Sequence, residues 1–396
     1  MRACMVAYTF YEMDNRVMRY AETLAKRGDQ VDVIALRKKG QPFKSYLRGV
    51  NVYRIQKRVK NEKNKMTHLI KLIIFFVKSL ILLGFLQIKN GYHLVHVHNI
   101  PDFLVFAALF SKLFGAKIIL DIHDIVPELY GSKFGQNDSG LTFRALVLIE
   151  KMSCAFSNHV LVANHIWHRR LTERSVSKEK CSVVLNYPDE NYFFRRPRTR
   201  NNKKFKIIYP GSLNWHQGID IAIRAFGIIR DKISAEFCIY GEGKFRETLE
   251  KLICNLGLSE RVYLMGSLPI NQIAEIMANA DLGIEPKRND AFAGDAMSTK
   301  ILEFLSLGVP VIVSDTRIHK YYFNGSVVQF FRGEDERDLA RCMLLLIEDE
   351  ILRKEFVQRG VEFVIDFSWE KKKDEYLQLV ERLTHQNTNL TALLQE

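Results

Sequence analysis

The sequence predicts an α/β protein built from two Rossmann-like domains that face each other across a linker. Three observations lead there. Strand–helix–strand units recur along the chain, the signature of a parallel sheet with crossover helices. A polar stretch with two prolines, residues 186–204, interrupts the pattern, and a second α/β set follows it. The length, 396 residues, allows two domains that each bury a core.

The first unit starts with residues 2–10 as a short buried strand. A helix runs from Asp14 to about Lys26, with Asp14 as N-cap, Val17, Tyr20, Ala21 and Leu24 as one apolar stripe, and Gly28 closing it. Gln30–Leu36 is the next strand. The alternation resumes with strand Leu94–His98, helix Asp102–Phe114, strand Lys117–Ile122, helix Leu141–Ser157 and strand His159–Val162. After the break come strand Lys206–Tyr209, helix Ile219–Ile229, strand Glu236–Tyr240, helix Phe245–Cys254 and strand Arg261–Met265. Helix Ile270–Ala278, strand Leu282–Ile284, helix Thr299–Leu307, strand Val309–Val313 and helix Glu336–Glu348 complete the set. The expected domains are therefore 1–185 and 205–366. Residues 367–396 form a helix, Trp369–Leu383, and a tail that could return to the N-terminal domain.

Composition narrows the class. The chain is 47% hydrophobic and 26% charged, which excludes a largely disordered chain and a multi-spanning membrane protein. Cys4, Cys154, Cys181, Cys238, Cys254 and Cys342 are scattered without a Cys-x-x-Cys pair, so a reduced cytosolic setting is expected. The first residues are too short an apolar run for a signal peptide. The net charge of +13 is localised: Arg37–Lys89 holds 14 basic residues and one acid, Glu62, and the remainder is neutral. A local basic patch points to a local anionic partner.

The C-terminal half carries an ordered set of segments: Tyr209-Pro210-Gly211-Ser212-Leu213, Gln217-Gly218-Ile219-Asp220, Tyr240-Gly241-Glu242-Gly243, Val262–Gly266, and Ser298-Thr299-Lys300-Ile301-Leu302-Glu303-Phe304 with Leu307–Val311. This order resembles the family-4 retaining glycosyltransferases, whose fold is the two-Rossmann GT-B architecture. The family's Glu-x7-Glu signature reads here as Asp295-x7-Glu303. The resemblance implies that Glu303 holds the donor ribose and Asp295 reaches the transferred sugar. Lys300, with Ser298, Thr299 and backbone amides near Gly211, would hold the diphosphate. Independently, Lys300 falls in the first turn of a helix, where the dipole disfavours a cation unless an anion binds there. The family commonly has Arg and Lys where this chain has Ser212 and Gln217. Lys300 with backbone amides would then suffice, or Lys287 or Arg288 would substitute. Gly211, Ser212, Gln217, Gly241 and Gly243 complete the expected donor site.

In the N-terminal half, Asp121-Ile122-His123-Asp124-x-x-Pro127-Glu128 resembles the family's acceptor-side signature. It implies that His123 lies beside the reacting sugar, with Asp124 near the acceptor. Thr9–Met13 replaces the family's glycine-rich first loop, while Asp14-Asn15-Arg16 matches an acceptor- or phosphate-side pattern of some members. Helix capping explains Asp14 equally well. His93, His96 and His98 have no acid or cysteine at ligand spacing and read as core or strand-end residues. The chain has no Asp-x-Asp, so no metal and no other cofactor is expected. The implied reaction transfers a sugar from a nucleotide-diphosphate-sugar to a hydroxyl with retention, by front-face displacement. A nucleotide-sugar epimerase or phosphorylase on the same fold, and a non-enzymatic polyanion-binding protein, are the competing readings.

Met66–Ile88 is strongly apolar but contains Lys71 and Lys78, each costing about 2.5–3.5 kcal/mol near a bilayer centre. Its longest uncharged run, Ser79–Ile88, falls short of the roughly 20 residues a span needs. The two lysines share a helix face opposite Leu69, Ile73, Phe76, Leu80 and Leu83, as in an interfacial helix. With the basic run before it, this segment reads as docking on an anionic membrane surface; packing on the N-terminal sheet is the alternative. The expected setting is cytoplasmic and peripheral on the inner face of the cell membrane, with a lipid-linked or glycan acceptor. Nucleic acid is disfavoured, because the cations interleave with aliphatic side chains and lack stacking aromatics.

Overall fold

The structure, a computed structural model, describes residues 1–58, 65–134, 140–199 and 204–385. Glu62 with the rest of 59–64, residues 200–203 of the expected linker, and the tail 386–396 lie outside the described residues. The chain divides into two compact units: Met1–Asn186 together with the segment from Lys372, and Tyr187–Lys371.

The N-terminal unit has strands β1 (Arg2–Ala7), β2 (Gln30–Arg37), β3 (Lys44–Leu47), β4 (Val50–Lys57), β5 (Leu94–His98), β6 (Lys117–Ile122), β7 (His159–Val162) and β8 (Cys181–Val183). Their order is β3-β4-β2-β1-β5-β6-β7-β8. Every pair is parallel except the β3–β4 hairpin. Ala3–Ala7 of β1 is buried, as expected of an apolar run covered on both faces. Helices α1 (Asn15–Lys26), α2 (Lys65–Asn90), α3 (Leu109–Leu113), α4 (Val126–Phe134), α5 (Leu141–Phe156) and α6 (His165–Arg174) accompany the sheet. Asp14 caps α1 by accepting from the Val17 amide at 3.2 Å, and Val17, Tyr20, Ala21 and Leu24 form its buried stripe.

Two local expectations change. The helix expected over Asp102–Phe114 is a 3₁₀ stretch, Asp102–Ala108, followed by the short α3. The basic run after Arg37 is not a uniform surface but includes β3 and β4. In β4 the residues alternate, with Val50, Val52, Arg54 and Gln56 inward. Arg54 pairs with Glu12 and donates to the Ser45 hydroxyl, so that cation is internal.

Helix α2 packs on the N-terminal unit along one row and leaves another row exposed. It is long and apolar enough by length and composition alone to pass for a spanning helix, despite Lys71 and Lys78 within it, but part of it is packed inside the unit. One row, Leu72, Phe75, Ser79, Leu83 and Leu86, is buried within the unit. Phe75 stands 5.1 Å edge-on from Tyr8, and the Gln56 amide donates to the Lys71 carbonyl at 2.9 Å. The other row, including Leu69, Ile73, Val77, Ile81, Phe85 and Ile88, is exposed, and Lys78 is exposed with it. Lys71 is half-buried, and Leu83 belongs to the inner row, apart from Leu69 and Ile73.

The C-terminal unit has parallel strands β9 (Phe205–Pro210), β10 (Ala235–Tyr240), β11 (Val262–Met265), β12 (Leu282–Glu285), β13 (Val311–Ser314) and β14 (Gln329–Phe331), ordered β11-β10-β9-β12-β13-β14. Its helices are α7 (Ile219–Ile229), α8 (Arg246–Asn255), α9 (Ile270–Ala278), α10 (Thr299–Leu307), α11 (Arg317–Tyr322), α12 (Glu336–Glu348) and α13 (Glu350–Val364). Helix α14 (Trp369–His385) begins in this unit and continues in the N-terminal one, where Tyr376 is buried against Tyr20. Much of the expected linker belongs to the C-terminal unit: Phe193 lies in its core and Tyr192 packs against it. Two aromatic residues inside a polar stretch account for this, since their burial outweighs the ordering of a short segment.

Glu128, from the acceptor-side motif, has a structural place. Arg174 of α6 donates to Glu128 on α4 at 2.5 and 3.1 Å and to Glu150 on α5 at 2.8 and 2.6 Å. Both acids are buried, so one guanidinium ties three helices through two desolvated carboxylates. Removing one partner of such a group typically costs about 3–5 kcal/mol. Arg174→Met should lower the stability of the N-terminal unit by about 3 kcal/mol in a denaturant titration followed by circular dichroism.

Candidate functional site

In the C-terminal unit, the polar residues gather at the carboxyl ends of β9, β10 and β12 and at the amino end of α10, where ligands collect in open parallel sheets. The loops after β9 and β10 touch backbone to backbone. The Gly211 amide donates to the Tyr240 carbonyl at 2.8 Å, and Leu213 donates to the Glu242 carbonyl at 3.0 Å. A Cβ at Gly241 would stand 1.7 Å from the Gly211 carbonyl oxygen, and one at Gly243 2.0 Å from that of Leu213. These glycines bring two loops together; no side chain fits there. Gly218, in the left-handed region at φ 68°, opens α7 where a Cβ would meet the Pro286 oxygen at 1.9 Å.

Lys300 stands at the centre. Its Nζ lies 2.8 Å from Glu285 Oε2, 3.1 Å from the Tyr209 hydroxyl, 3.3 Å from Gln217 Oε1 and 4.5 Å above the Tyr209 ring. Burial alone would push the Lys300 pKa down, but the Glu285 charge and Tyr209 raise it well above the usual value. Glu285 is fully buried; the Lys300 and Lys287 charges overcome that burial and hold its pKa below the ordinary one. Burial pushes the Tyr209 hydroxyl up to about 12. Gln217 therefore acts as a neutral acceptor on Lys300, and Ser212 is exposed, its carbonyl accepting from Tyr209 at 3.2 Å.

Ser298 is the N-cap of α10, yet its side chain caps no amide, and among the described residues no other side chain caps the first amides of the helix. Thr299 follows as the first helical residue, half-buried. Glu303, one turn on, makes no hydrogen bond or ion pair among the described residues. Burial raises its pKa to about 7; Lys300 opposes that rise and Glu285 adds to it. Asp295, in a short 3₁₀ turn, is buried and pairs with the exposed Arg317 at 2.7 Å. The two cations offered as substitutes are engaged elsewhere. Lys287 donates to the Ala296 carbonyl at 2.8 Å, and Arg288 grips Asp220 with two nitrogens at 3.0 and 2.8 Å while stacking on Trp215.

In the N-terminal unit the site forms where β5 and β6 end, with His98 paired to Asp121 in register. Arg16, in the first turn of α1, takes both oxygens of Asp121: Nε to Oδ2 at 2.8 Å and Nη2 to Oδ1 at 2.6 Å. Its Nη1 donates to the Val184 carbonyl at 2.6 Å and to Asn186 at 3.1 Å. Arg16 is thus an internal brace, buried and not presented to an acceptor. Burial would raise the Asp121 pKa, but the Arg16 guanidinium holds it well below the usual carboxylate range. His123 Nε2 lies 3.0 Å from Asp121 Oδ2 and 3.1 Å from His98 Nδ1, and its backbone amide donates to Asn99 Oδ1 at 2.8 Å.

Asn15 and Asp124 are half-buried, and the Asp124 carbonyl accepts from Asn99 at 2.7 Å. His96, His98 and Asp121 bring their nitrogen and oxygen atoms within 4.8 Å of one another. The donor set suits a divalent ion, but the Arg16 guanidinium already covers both carboxylate oxygens and brings its own positive charge.

Two stretches of the chain match known glycosyltransferase domains. Residues 13–186 match the Glycosyl transferase 4-like domain, and residues 191–363 match Glycosyl transferases group 1. The chain belongs to the family-4 glycosyltransferases. It is 25% identical to an uncharacterized glycosyltransferase of Methanocaldococcus jannaschii over 77% of this chain and 78% of that protein. It is 24% identical to a phosphatidylinositol N-acetylglucosaminyltransferase component of Homo sapiens over 78% of this chain and 61% of that protein. In fold it is similar to the sucrose-phosphate synthase of Thermosynechococcus elongatus, with TM-score 0.77 and 15% identity over 100% and 99% of the two chains. It is also similar to Anabaena HepE in complex with UDP and glucose, with TM-score 0.69 and 15% identity over 98% and 99%. These neighbours share the GT-B fold.

Two residues central to the glycosyltransferase's sites escaped the motif reading: Glu285 beneath Lys300, and His98 beside His123. The signal for Glu285 was an acid directly after an apolar strand; for His98, a histidine at a strand end. Glu303 offers a direct check on its surroundings. A carboxyl whose folded pKa is raised from 4.5 to about 7 adds stability fully present below pH 4.5 and lost as pH rises through 7. Glu303→Gln should therefore raise the melting temperature above pH 7, and this gain should shrink steadily as pH falls toward 4.5.

Proposed function

We propose that this glycosyltransferase moves a sugar from a nucleotide-diphosphate-sugar to a hydroxyl of a lipid-linked or glycan acceptor, with retention and without a metal. The observation that carries the donor half is the Lys300 cluster at the amino end of α10. A lysine held charged, helix amides without a side-chain cap, and a nearby carboxylate with no partner suit a diphosphate followed by a ribose diol. The UDP bound by the HepE neighbour makes uridine donors the first to try.

In the step itself, the acceptor oxygen bonds to the anomeric carbon on the face the diphosphate leaves. The bond from that carbon to the phosphate oxygen breaks, and the acceptor proton passes to the departing phosphate. Lys300 and the α10 amides stabilise the charge that builds on the diphosphate, and Glu303 holds the ribose. Asp295 and His123 serve the sugar. Arg16 on Asp121 supports metal independence, because a dication beside a guanidinium would add uncompensated positive charge.

A cytoplasmic position at an anionic membrane is the setting we propose. The outer row of α2 continues onto α3, where Gly84 lies against Phe110 and where Leu113 and Phe114 are exposed. Lys78 and Lys89 are exposed beside this apolar surface, and the acid of residues 65–120, Asp102, is buried. Apolar side chains with cations around them suit anionic lipid headgroups over an acyl layer. The human relative, a phosphatidylinositol N-acetylglucosaminyltransferase component, agrees with a lipid-borne acceptor.

Three results are expected. Lys300→Ala combined with Glu285→Gln, which avoids a stranded buried acid, should raise the KM for the sugar donor about tenfold or more. NMR of the product should show the donor's anomeric configuration kept. In flotation assays the protein should bind vesicles containing phosphatidylserine or phosphatidylglycerol at low salt and leave them at high salt, and Ile81→Asp with Phe85→Asp should abolish that binding. Unchanged donor kinetics, an inverted linkage, or no vesicle binding at low salt would each remove its part of the reading.

A further inference from the structure

Three polar atoms in the N-terminal unit form a nearly equilateral triangle. His98 Nδ1 and His123 Nε2 stand 3.1 Å apart, and they lie 3.1 and 3.0 Å from the same oxygen, Asp121 Oδ2. Each edge is a hydrogen-bond length, yet a neutral imidazole brings one N–H, so the positions of the protons are constrained.

Asp121 Oδ2 has room for about two donors, and Arg16 Nε fills one place at 2.8 Å. One donor site remains for two imidazoles. His98 is sealed in: its Nε2 is buried with no partner, and His96 stacks on its ring at 4.3 Å. A proton on His98 Nε2 would be an unpaired buried N–H, whereas one on Nδ1 has both Asp121 Oδ2 and His123 Nε2 within reach as acceptors. The proton of His98 therefore sits on Nδ1, shared between Asp121 Oδ2 and His123 Nε2. His123 Nε2 must then accept. His123 is half-buried, and its Nδ1 makes no bond among the described residues and is not sealed from solvent, so it can carry its proton outward.

We infer that His98 and Asp121 are positioning residues that hold His123 as the neutral tautomer protonated on Nδ1. His123 is thereby a hydrogen-bond donor to a sugar oxygen and not a general base. The inference rests on the glycosyl-transfer reading for the ligand, but the tautomer itself can be observed without turnover. It also fits a displacement in which the leaving phosphate, and no side chain, takes the acceptor's proton.

The test uses the full chain labelled with ¹⁵N in its histidine rings. The His123 signals are identified by their loss in His123→Gln. In long-range ¹H–¹⁵N spectra at neutral pH, His123 should show a protonated Nδ1 and a bare Nε2. His98→Phe should move the His123 proton to Nε2, onto Asp121, and lower kcat about tenfold with little change in the donor KM. His98→Asn, whose amide can replace the Nδ1–H, should restore both the tautomer and kcat. If His98→Phe does not fold, the unmodified protein's spectrum still decides. A wild-type His123 protonated on Nε2 would overturn the inference, and so would stoichiometric Zn²⁺ shifting His98 and His123 together, since a metal would then fill the triangle. The expected tautomer in a protein that transfers no sugar from any nucleotide donor would leave the proton assignment standing and sink the glycosyl-transfer reading instead.

Discussion

A buried carboxylate at the end of a β-strand stays ionised only if a cation touches it, and both sites of this protein are arranged around that constraint. In the N-terminal unit the acid is Asp121 at the end of β6 and the cation is Arg16 in the first turn of α1. In the C-terminal unit the acid is Glu285 at the end of β12 and the cation is Lys300 in the first turn of α10. Neither half of such a pair is comfortable alone. A fully desolvated carboxylate costs several kcal/mol, and a cation in a helix's first turn opposes the helix dipole. Each removes the other's penalty, so helix and strand end are locked together at the edge where ligands collect.

The two pairs leave different things for a ligand. Arg16 surrounds Asp121 so completely that the acid can hold histidines but has little left for an ion. Lys300 is held on one side by Glu285, Tyr209 and Gln217, which fix where its charge sits without removing it. That is the arrangement electrostatic stabilisation of a leaving group needs: a charge already in position, with no reorganisation left for the moment of reaction. It also gives the neutral Gln217 a place beside the lysine. Gln217 is not a missing cation but an acceptor that orients the lysine.

How much of this was legible in the sequence follows from the physics of each feature. The α10 helix, bounded by Ser298 and Gly308, stands where an apolar 3.6 period and end residues put it, and α1 and α12 likewise. Strands β3 and β4 were hidden because their inward positions include Arg54 and Gln56, which carry no hydrophobic period. Helix α13 was missed for the related reason that it buries few of its residues, Phe356 and Gly360 among them. At the sites, residue types were visible but partners were not. Arg16 reads as a phosphate or acceptor ligand until its distance to Asp121 is known, and Arg288 as a spare cation until Asp220 is seen beneath it. Pairings separated by 105 and 68 residues leave no local pattern.

The same distinction between residue type and partner reshapes the meaning of the net charge. Within the basic stretch, Arg54 is inside the fold on Glu12, Arg48 pairs with Glu22, and Lys38, Lys44 and Arg58 lie over the rings of Phe10, Tyr53 and Tyr8. A cation engaged with an acid or an aromatic face contributes less to binding than its formal charge suggests. Lysines also stand on α2 among exposed aliphatic side chains, and the helix itself, Lys65–Asn90, contains no acid. A purely electrostatic surface would not need those aliphatic residues, and a purely apolar one would not exclude acids so thoroughly. Their combination on one helix, whose other row anchors it to the sheet, favours a partner that is anionic at its face and apolar beneath.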